Sequence, residues 1–276
     1  MDESHGSPPL IVHEEGTIAW LTLNRPQRLN AIDAAMGGAL RSYFQGLYMR
    51  RDIRVVVLQG AGRAFCAGLD LAPPATSSAA PAAPTQRREV GDLLDFQQGI
   101  RDVILAMRRC PQPIISVVQG AACGGGFALA LASDLRLATP DARMNAAFVR
   151  IGLSGCDVGV SYFLPRMVGS SVAAEYLLTG RFLLAERAYQ LGLVSRVDAL
   201  PQLQAEARAM AEEMLDVTPL GLRLTKDALG HAVDAASLEA AIALEDRNQV
   251  LCCQGEDFDE GVAAFLEKRA PRYRSR

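Results

Sequence analysis

Two glycine-rich turns hold the residues through which this chain could act on a substrate. Residues 120–134 read GAACGGGFALALASD, with glycines at 124, 125 and 126 ahead of an apolar run; residues 60–71 read GAGRAFCAGLDL. Each glycine loses more backbone entropy on folding than any other residue, so a turn that keeps three in a row needs bare backbone. Each turn follows an expected strand, and the later one opens an expected helix, which aims its N–H groups at whatever lies beyond the strand end. Two strand ends that expose backbone donors could together form an oxyanion hole, the device that stabilises negative charge developing on a carbonyl oxygen. A glycine turn can also serve packing alone, and 120–134 by itself does not separate the two readings. The rival glycine motifs are missing, since neither a GxGxxG fingerprint early in the chain nor a GK[ST] phosphate loop is present.

Other chemistries lack their side chains. His5, His13 and His231 are scattered, which leaves no metal-site spacing and no histidine for a Ser-His-Asp system. The cysteines (66, 110, 123, 156, 252 and 253) lack CxxC spacing and lie in apolar or glycine-rich contexts, so they are expected to be reduced, buried thiols.

The elements that must hold the two turns can be read from periodicity. Residues 10–23 (LIVHEEGTIAWLTL) predict two short strands around a Glu-Glu-Gly turn. Apolar positions at helical spacing follow over 33–49, with Asp33 as N-cap. RVVVLQG (54–60), PIISVVQG (113–120) and DLRLAT (134–139) read as buried parallel strands that alternate with helices, hence βαβ-type units in an α/β fold. An Ala/Pro/Ser-rich segment over 72–88 has nothing to bury and is expected to be a mobile loop, followed by an amphipathic helix from Glu89 to Arg109. From Pro201 onward the pattern is helical, broken near Thr218-Pro219 and Gly230, so residues 1–200 are expected to form a core and 201–276 a C-terminal helical region.

Composition bounds the partners. The chain has 276 residues and a formal net charge of −3, which disfavours nucleic acid and anionic membranes as general partners. The basic cluster at 268–276 reads equally as a solvated tail or a site for a local anion. No apolar run is long enough for a membrane span, and the N-terminal residues resemble no export signal, so a cytoplasmic location is expected.

Taken together the motifs resemble the enoyl-CoA hydratase/isomerase family, also called the crotonase family. The resemblance runs through LTLNRPQRLNAID (21–33), GRAFCAGLDL (62–71), PIISVVQGAACGGGFALALASDLRLA (113–138), LTGRFLLAERAYQLGLVSRV (178–197) and DFDEGVAAFLEKRAP (257–271), in family order. It implies a crotonase-type spiral of ββα units with a C-terminal trimerisation region, and a homotrimer or dimer of trimers. The implied substrate is an acyl-CoA thioester, with coenzyme A entering as part of the substrate and no further cofactor or metal. Carried over residue by residue, the N–H groups of Ala67 and Gly125 become the oxyanion donors. Ala67, Gly68, Leu69 and Asp70, with the loop from Arg25 through Arg28 to Ala31, line the thioester and CoA channel. For Arg25 and Arg28, ordinary surface charge is the alternative to a CoA phosphate contact.

The resemblance breaks at the acid/base positions. Family hydratases carry a Glu two residues after the glycine triplet and another at the next strand-to-helix junction; this chain has Ala128 and Phe148 there. Neither can carry a proton, so a two-glutamate addition of water cannot operate unchanged. Asp157, in IGLSGCDVGVSYFLPRMVG, offers a replacement. Its setting resembles dienoyl-CoA isomerases and 4-chlorobenzoyl-CoA dehalogenases, which use an aspartate at this turn, although this chain has one extra residue between Gly-Leu and Asp. A helix N-cap is the competing role for Asp157. Asp70, Glu89, Asp92 and Asp95 are lesser candidates. The implied activity is hydratase or isomerase proton chemistry on a thioester enolate. Isomerisation fits the surviving residues better, because one carboxylate can move a proton between carbons. An Asp-ester hydrolase or dehalogenase and a silent acyl-CoA-binding subunit remain as alternatives.

Overall fold

In a computed structural model of the protein, residues 7–71 and 89–274 are described. The expected mobile loop over 72–88 lies outside the described residues.

Strands β1 (Leu10–Glu15) and β2 (Ile18–Leu23) form the antiparallel hairpin expected around Gly16, which takes φ +58. Helix α1 (Ala34–Gly46) begins where Asp33 caps it, the carboxylate accepting the Met36 N–H at 2.8 Å. Strand β3 (Val55–Gly60) and, beyond helix α2 (Val90–Arg109), strand β4 (Ile114–Val118) carry the predicted β-branched runs. Strand β5 (Ala121–Cys123), three residues long, stands between β4 and the glycine triplet, which the sequence pattern did not separate from the turn. Helix α3 (Gly125–Ala132), strands β6 (Leu135–Ala138) and β7 (Arg143–Asn145), and helices α4 (Val160–Val168) and α5 (Ser170–Thr179) follow. The chain then forms β8 (Leu183–Leu184), α6 (Ala185–Gln190), β9 (Arg196–Val197), α7 (Leu200–Leu215), α8 (Pro219–Ala232), α9 (Leu238–Cys253) and α10 (Glu256–Glu267).

The main sheet has the order β1-β2-β3-β4-β6-β9, parallel from β2 onward, and a smaller sheet has the order β5-β7-β8. Parallel strands buried on both faces should be apolar throughout, and Val55, Val56, Val57 and Leu58 are fully buried. One face packs against α1 and α2 through Met36, Leu40, Phe44 and Met107. The other face, with Trp20, Val55, Val57 and Val117, is covered by Leu203, Ala207 and Ala211 of α7. Helix α7 therefore belongs physically to the core layers, although its sequence reads with the C-terminal helices.

Helix α8 is tied down by Lys226, a buried ammonium that donates to Gln112 O at 2.7 Å and pairs with Asp134 at 2.9 Å. Helix α9 by contrast buries none of its residues, and Ile242, Val250, Leu251, Phe265 and Leu266 on α9 and α10 are exposed. The thiols divide rather than all being buried. Cys66 and Cys110 are interior, while Cys156 on the loop before α4 and Cys253 at the end of α9 face outward. Burial pushes the Cys66 thiol up to about 12, which keeps it protonated and inert.

Candidate active site

The loop at 25–33 is built to a fixed shape. Leu29 and Asn30 both take left-handed backbone, φ 51 and 56, which asparagine tolerates better than leucine. Asn30 is fully buried and braces the loop against the 60–70 turn, donating from Nδ2 to Ala61 O at 2.8 Å and Ala64 O at 2.7 Å. Its Oδ1 accepts the Arg25 N–H at 2.8 Å. The Arg25 guanidinium donates to Ala31 O and to Asp70 at 2.9 Å and pairs with Asp33 at 3.2 Å. Arg28 reaches the other Asp70 oxygen at 2.7 Å. Arg25 is thus spent on holding the loop, and Asp70 accepts from both arginines. Only Arg28, with 43% of its side chain exposed, keeps a wide solvent face for an anion.

The two glycine turns meet through short parallel pairings. Cys66 bridges Ala122 on one side and Leu69 bridges Ile32 on the other, so residues 66–69 run between β5 and the 25–33 loop. The glycines make this approach fit. A Cβ on Gly68, which has φ +98, would lie 2.7 Å from Cys123 O and 3.5 Å from Gly125 N; one on Gly126 would lie 2.1 Å from Cys66 O. Gly124 takes φ +51. Replacing Gly126 with alanine is expected to destabilise the protein by at least about 2 kcal/mol, lowering Tm by about 5 °C or more in a thermal melt, because the backbone carbonyl it meets cannot swing away. Gly125→Ala meets only the flexible end of Ile32, at 3.3 Å, and is expected to melt near wild type.

The donors differ from those expected. The Ala67 N–H donates to Leu29 O at 2.9 Å and faces the 25–33 loop, so it is committed within the chain. Ile32 N donates to Gly68 O at 2.7 Å and Asp70 N to Ile32 O at 2.9 Å, a pairing that turns the intervening Leu69 N–H away from Ile32 and toward the β5 side. Leu69 N–H meets no acceptor among the described residues. Gly125 is the first residue of α3, where a helix leaves its N–H groups unbonded, and its N–H likewise meets no acceptor among the described residues. The uncommitted pair is therefore Leu69 and Gly125. Left-handed Gly68 is the reason: it breaks the strand alternation that would otherwise have pointed Ala67 and Leu69 the same way.

Leu69 and Gly125 line a cavity of about 180 Å³ between α1 and α2, walled by Ile32, Leu40, Ile100, Val103, Leu129 and Val158. Ala128 is fully buried in α3, and Phe148 lays its ring over Gly124, 3.4 Å from where a Cβ would stand; neither lines this cavity. Exposed Asp95 does line it, Glu89 is exposed ahead of α2, and the Asp92 side chain lies outside the description.

Val158 lines the same cavity whereas Asp157, the residue before it, does not, and Asp157 is not a helix cap. The N-cap of α4 is Gly159, with no side-chain cap bond. The Asp157 carboxylate instead takes the Val158 N–H at 2.8 Å and an amide N–H from Gln97 on α2, both on Oδ1. Val158 has φ +39, an outlier for a β-branched residue that costs about 1–3 kcal/mol, and Gly159 follows at φ +86. Strain of this size persists where the surroundings over-determine a turn. Asn30 and Gln97 were not singled out as functional from the sequence, and Leu69 was expected to line the channel but not to be a donor. Asn30 left a signal, a lone asparagine between apolar residues in RLNAID, whereas Gln97 left none.

Among the described residues, no helix is long and apolar enough to cross a membrane. The sequence model of the enoyl-CoA hydratase/isomerase family matches residues 13–276. The chain is 40% identical over 268 residues to a "probable enoyl-CoA hydratase" of Mycobacterium tuberculosis, covering 95% of this chain and 91% of the relative. It is 33% identical over 264 residues to the 1,2-epoxyphenylacetyl-CoA isomerase of Escherichia coli, covering 96% and 97%. A crystal structure of a "probable enoyl-CoA hydratase/isomerase" from Mycobacterium abscessus superposes with a TM-score of 0.86 at 35% identity, over 97% of this chain and 99% of that one. The fold is that of a crotonase-type enzyme, and the chain belongs to the enoyl-CoA hydratase/isomerase family.

Proposed function

We propose that the protein moves protons on an acyl-CoA thioester by way of its enolate, with the Leu69 and Gly125 N–H groups holding the thioester oxygen and Asp157 as the acid/base. Protons alpha to a thioester become removable when the enolate oxygen meets donors already in place, and one such donor is worth roughly 3–4 kcal/mol of barrier. The observation that carries this reading is that Leu69 and Gly125, whose N–H groups meet no acceptor among the described residues, line one largely apolar cavity whose wall includes the residue next to Asp157. The acyl group occupies that cavity.

Double-bond isomerisation is the reaction these residues fit best. Ala128 and Phe148 leave no second carboxylate to activate water, whereas one carboxylate can take a proton from one carbon and return it to another. Turnover through an Asp157 ester is disfavoured, since His13 on β1 and His231 at the end of α8 lie on exposed surface away from the cavity and neither can activate water there. An acyl-CoA panel read by mass spectrometry and absorbance tests the reading. Unchanged mass with altered absorbance is the expected result. A gain of one water would make the enzyme a hydratase, and tight binding without turnover would make it a silent acyl-CoA binder; either overturns isomerisation.

The exposed apolar residues of α9 and α10 support assembly as a homotrimer or dimer of trimers. Light scattering is expected to give a trimer or hexamer for the full chain and loss of that assembly on deletion from Ser237 onward. A full-length monomer at micromolar concentration would contradict it.

A further inference from the structure

The structure assigns Gln97 of α2 a positioning role: its amide and the Val158 N–H together fix the Asp157 carboxylate so that Oδ2 is the oxygen that exchanges protons with substrate. The inference rests on Asp157 being the acid/base.

Three observations lead to it. The two donors to the carboxylate among the described residues, Val158 N–H at 2.8 Å and Gln97 Nε2, both bind Oδ1, and none binds Oδ2. The two donors come from different elements, one from the turn before α4 and one from a helix 60 residues earlier in the chain, so the carboxylate is held in two directions at once. Gln97 is half-buried on a helix whose residues Phe96 and Ile100 line the cavity, so α2 places the acyl wall and the Asp157 brace on one rigid rod.

The division between the oxygens suits a proton carrier. A carboxylate that accepts on both oxygens has one of those bonds weakened when it is protonated, because a hydroxyl oxygen is a poorer acceptor than a carboxylate oxygen. With both donors on Oδ1, the proton enters on Oδ2 while Oδ1, now the carbonyl oxygen of the acid, keeps both bonds. The group can therefore cycle between base and acid without turning. Among the described residues, a carboxylate without the Gln97 brace would retain only the bond from its own neighbouring residue and would swing about χ1 and χ2, and misplacement of a reacting group by about 1 Å can cost on the order of a hundredfold in rate.

The test uses the full-length protein and two readouts, kcat and KM on the panel member that turns over, and deuterium exchange into the alpha position of butyryl-CoA in deuterated buffer. Gln97→Leu removes the donor at similar volume. It is expected to lower kcat and the exchange rate by about ten- to a hundredfold with KM within about twofold and Tm nearly unchanged. Gln97→Glu, assayed at pH 8, sets an ionised carboxylate against Oδ1 and is expected to be slower still. The Gln97→Leu, Asp157→Asn double variant should exchange no more slowly than Asp157→Asn alone, because a brace has no effect once its carboxylate is gone. Wild-type exchange in both Gln97 variants, a change confined to KM, or additive losses in the double variant would each overturn the role of Gln97 while Asp157 stood. Wild-type exchange in Asp157→Asn would remove the acid/base reading itself, and the Gln97 role with it.

Discussion

Replacing Gly125 with proline is expected to lower turnover of an acyl-CoA substrate by at least about a hundredfold while leaving the protein folded. Gly125 is the first residue of α3, the one helical position where proline is well tolerated, because the N–H it lacks would have had no partner within the helix. The residue before a proline is ordinarily pushed toward extended backbone, but here it is Gly124, which already takes φ 51 and is free of the Cβ clash that makes the restriction severe. The ring's Cβ would stand 3.3 Å from the Ile32 Cδ1 methyl, which a small rotamer shift relieves. The substitution therefore subtracts one donor and sets the proline Cδ where that N–H pointed, and both changes act against an oxygen bound there. Circular dichroism separates loss of folding from loss of function, and Gly125→Ala, which keeps the N–H, is the control. A folded proline variant with near-normal activity would show that no enolate oxygen is held at this turn.

The fold was readable because hydrophobic patterning and turn chemistry agreed. Fully buried parallel strands announce themselves as uninterrupted runs such as VVVL at 55–58, and the Asp33 cap precedes a helical repeat that the structure confirms. Strand β5 was not readable, since Ala-Ala-Cys has neither alternation nor β-branching and becomes a strand only by pairing with β7 and Cys66. That same pairing brings the two glycine turns together, so their convergence is a tertiary fact with a weak local trace.

The site divides along the same line. Gly124 and Gly126 were legible because bare backbone is costly and must have a reason, and the reasons are a left-handed φ and the Cys66 carbonyl; Gly125 has no comparable steric reason, because its uncommitted N–H would survive in an alanine. Which N–H of the 66–69 segment is open was not legible. It depends on Gly68 reversing the alternation, and sequence alone cannot tell whether such a glycine flips the donor before it or the donor after it. Arg25 and Arg28 illustrate a further limit. Two arginines in a loop beside an expected ligand channel invite an anion, yet Asp70, 42 residues after Arg28, takes both. The pairing leaves the loop rigid and spends most of its positive charge internally.

Asp157→Asn is expected to lose alpha-proton exchange by about a hundred- to ten-thousandfold, the range general acid–base catalysis supplies, while Tm and CoA affinity stay close to wild type. The geometry makes this a sharp substitution. Both donors to the carboxylate converge on Oδ1, so an asparagine can present its carbonyl oxygen to Gln97 and to the Val158 N–H and keep both bonds. Its amide nitrogen then replaces Oδ2, the position with no donor among the described residues, and can neither take nor give a proton at useful pH. The strained Val158 backbone is supported as before, because the Asp157 carbonyl still accepts the Val160 N–H at 2.9 Å. A structural role for Asp157 would leave exchange intact in this variant, since everything it holds would still be held. A carboxylate that moves protons would leave the fold intact and the exchange gone. If the asparagine variant exchanges the alpha proton at the wild-type rate, the base lies elsewhere, and Asp95 on α2, which lines the same cavity, becomes the residue to replace next.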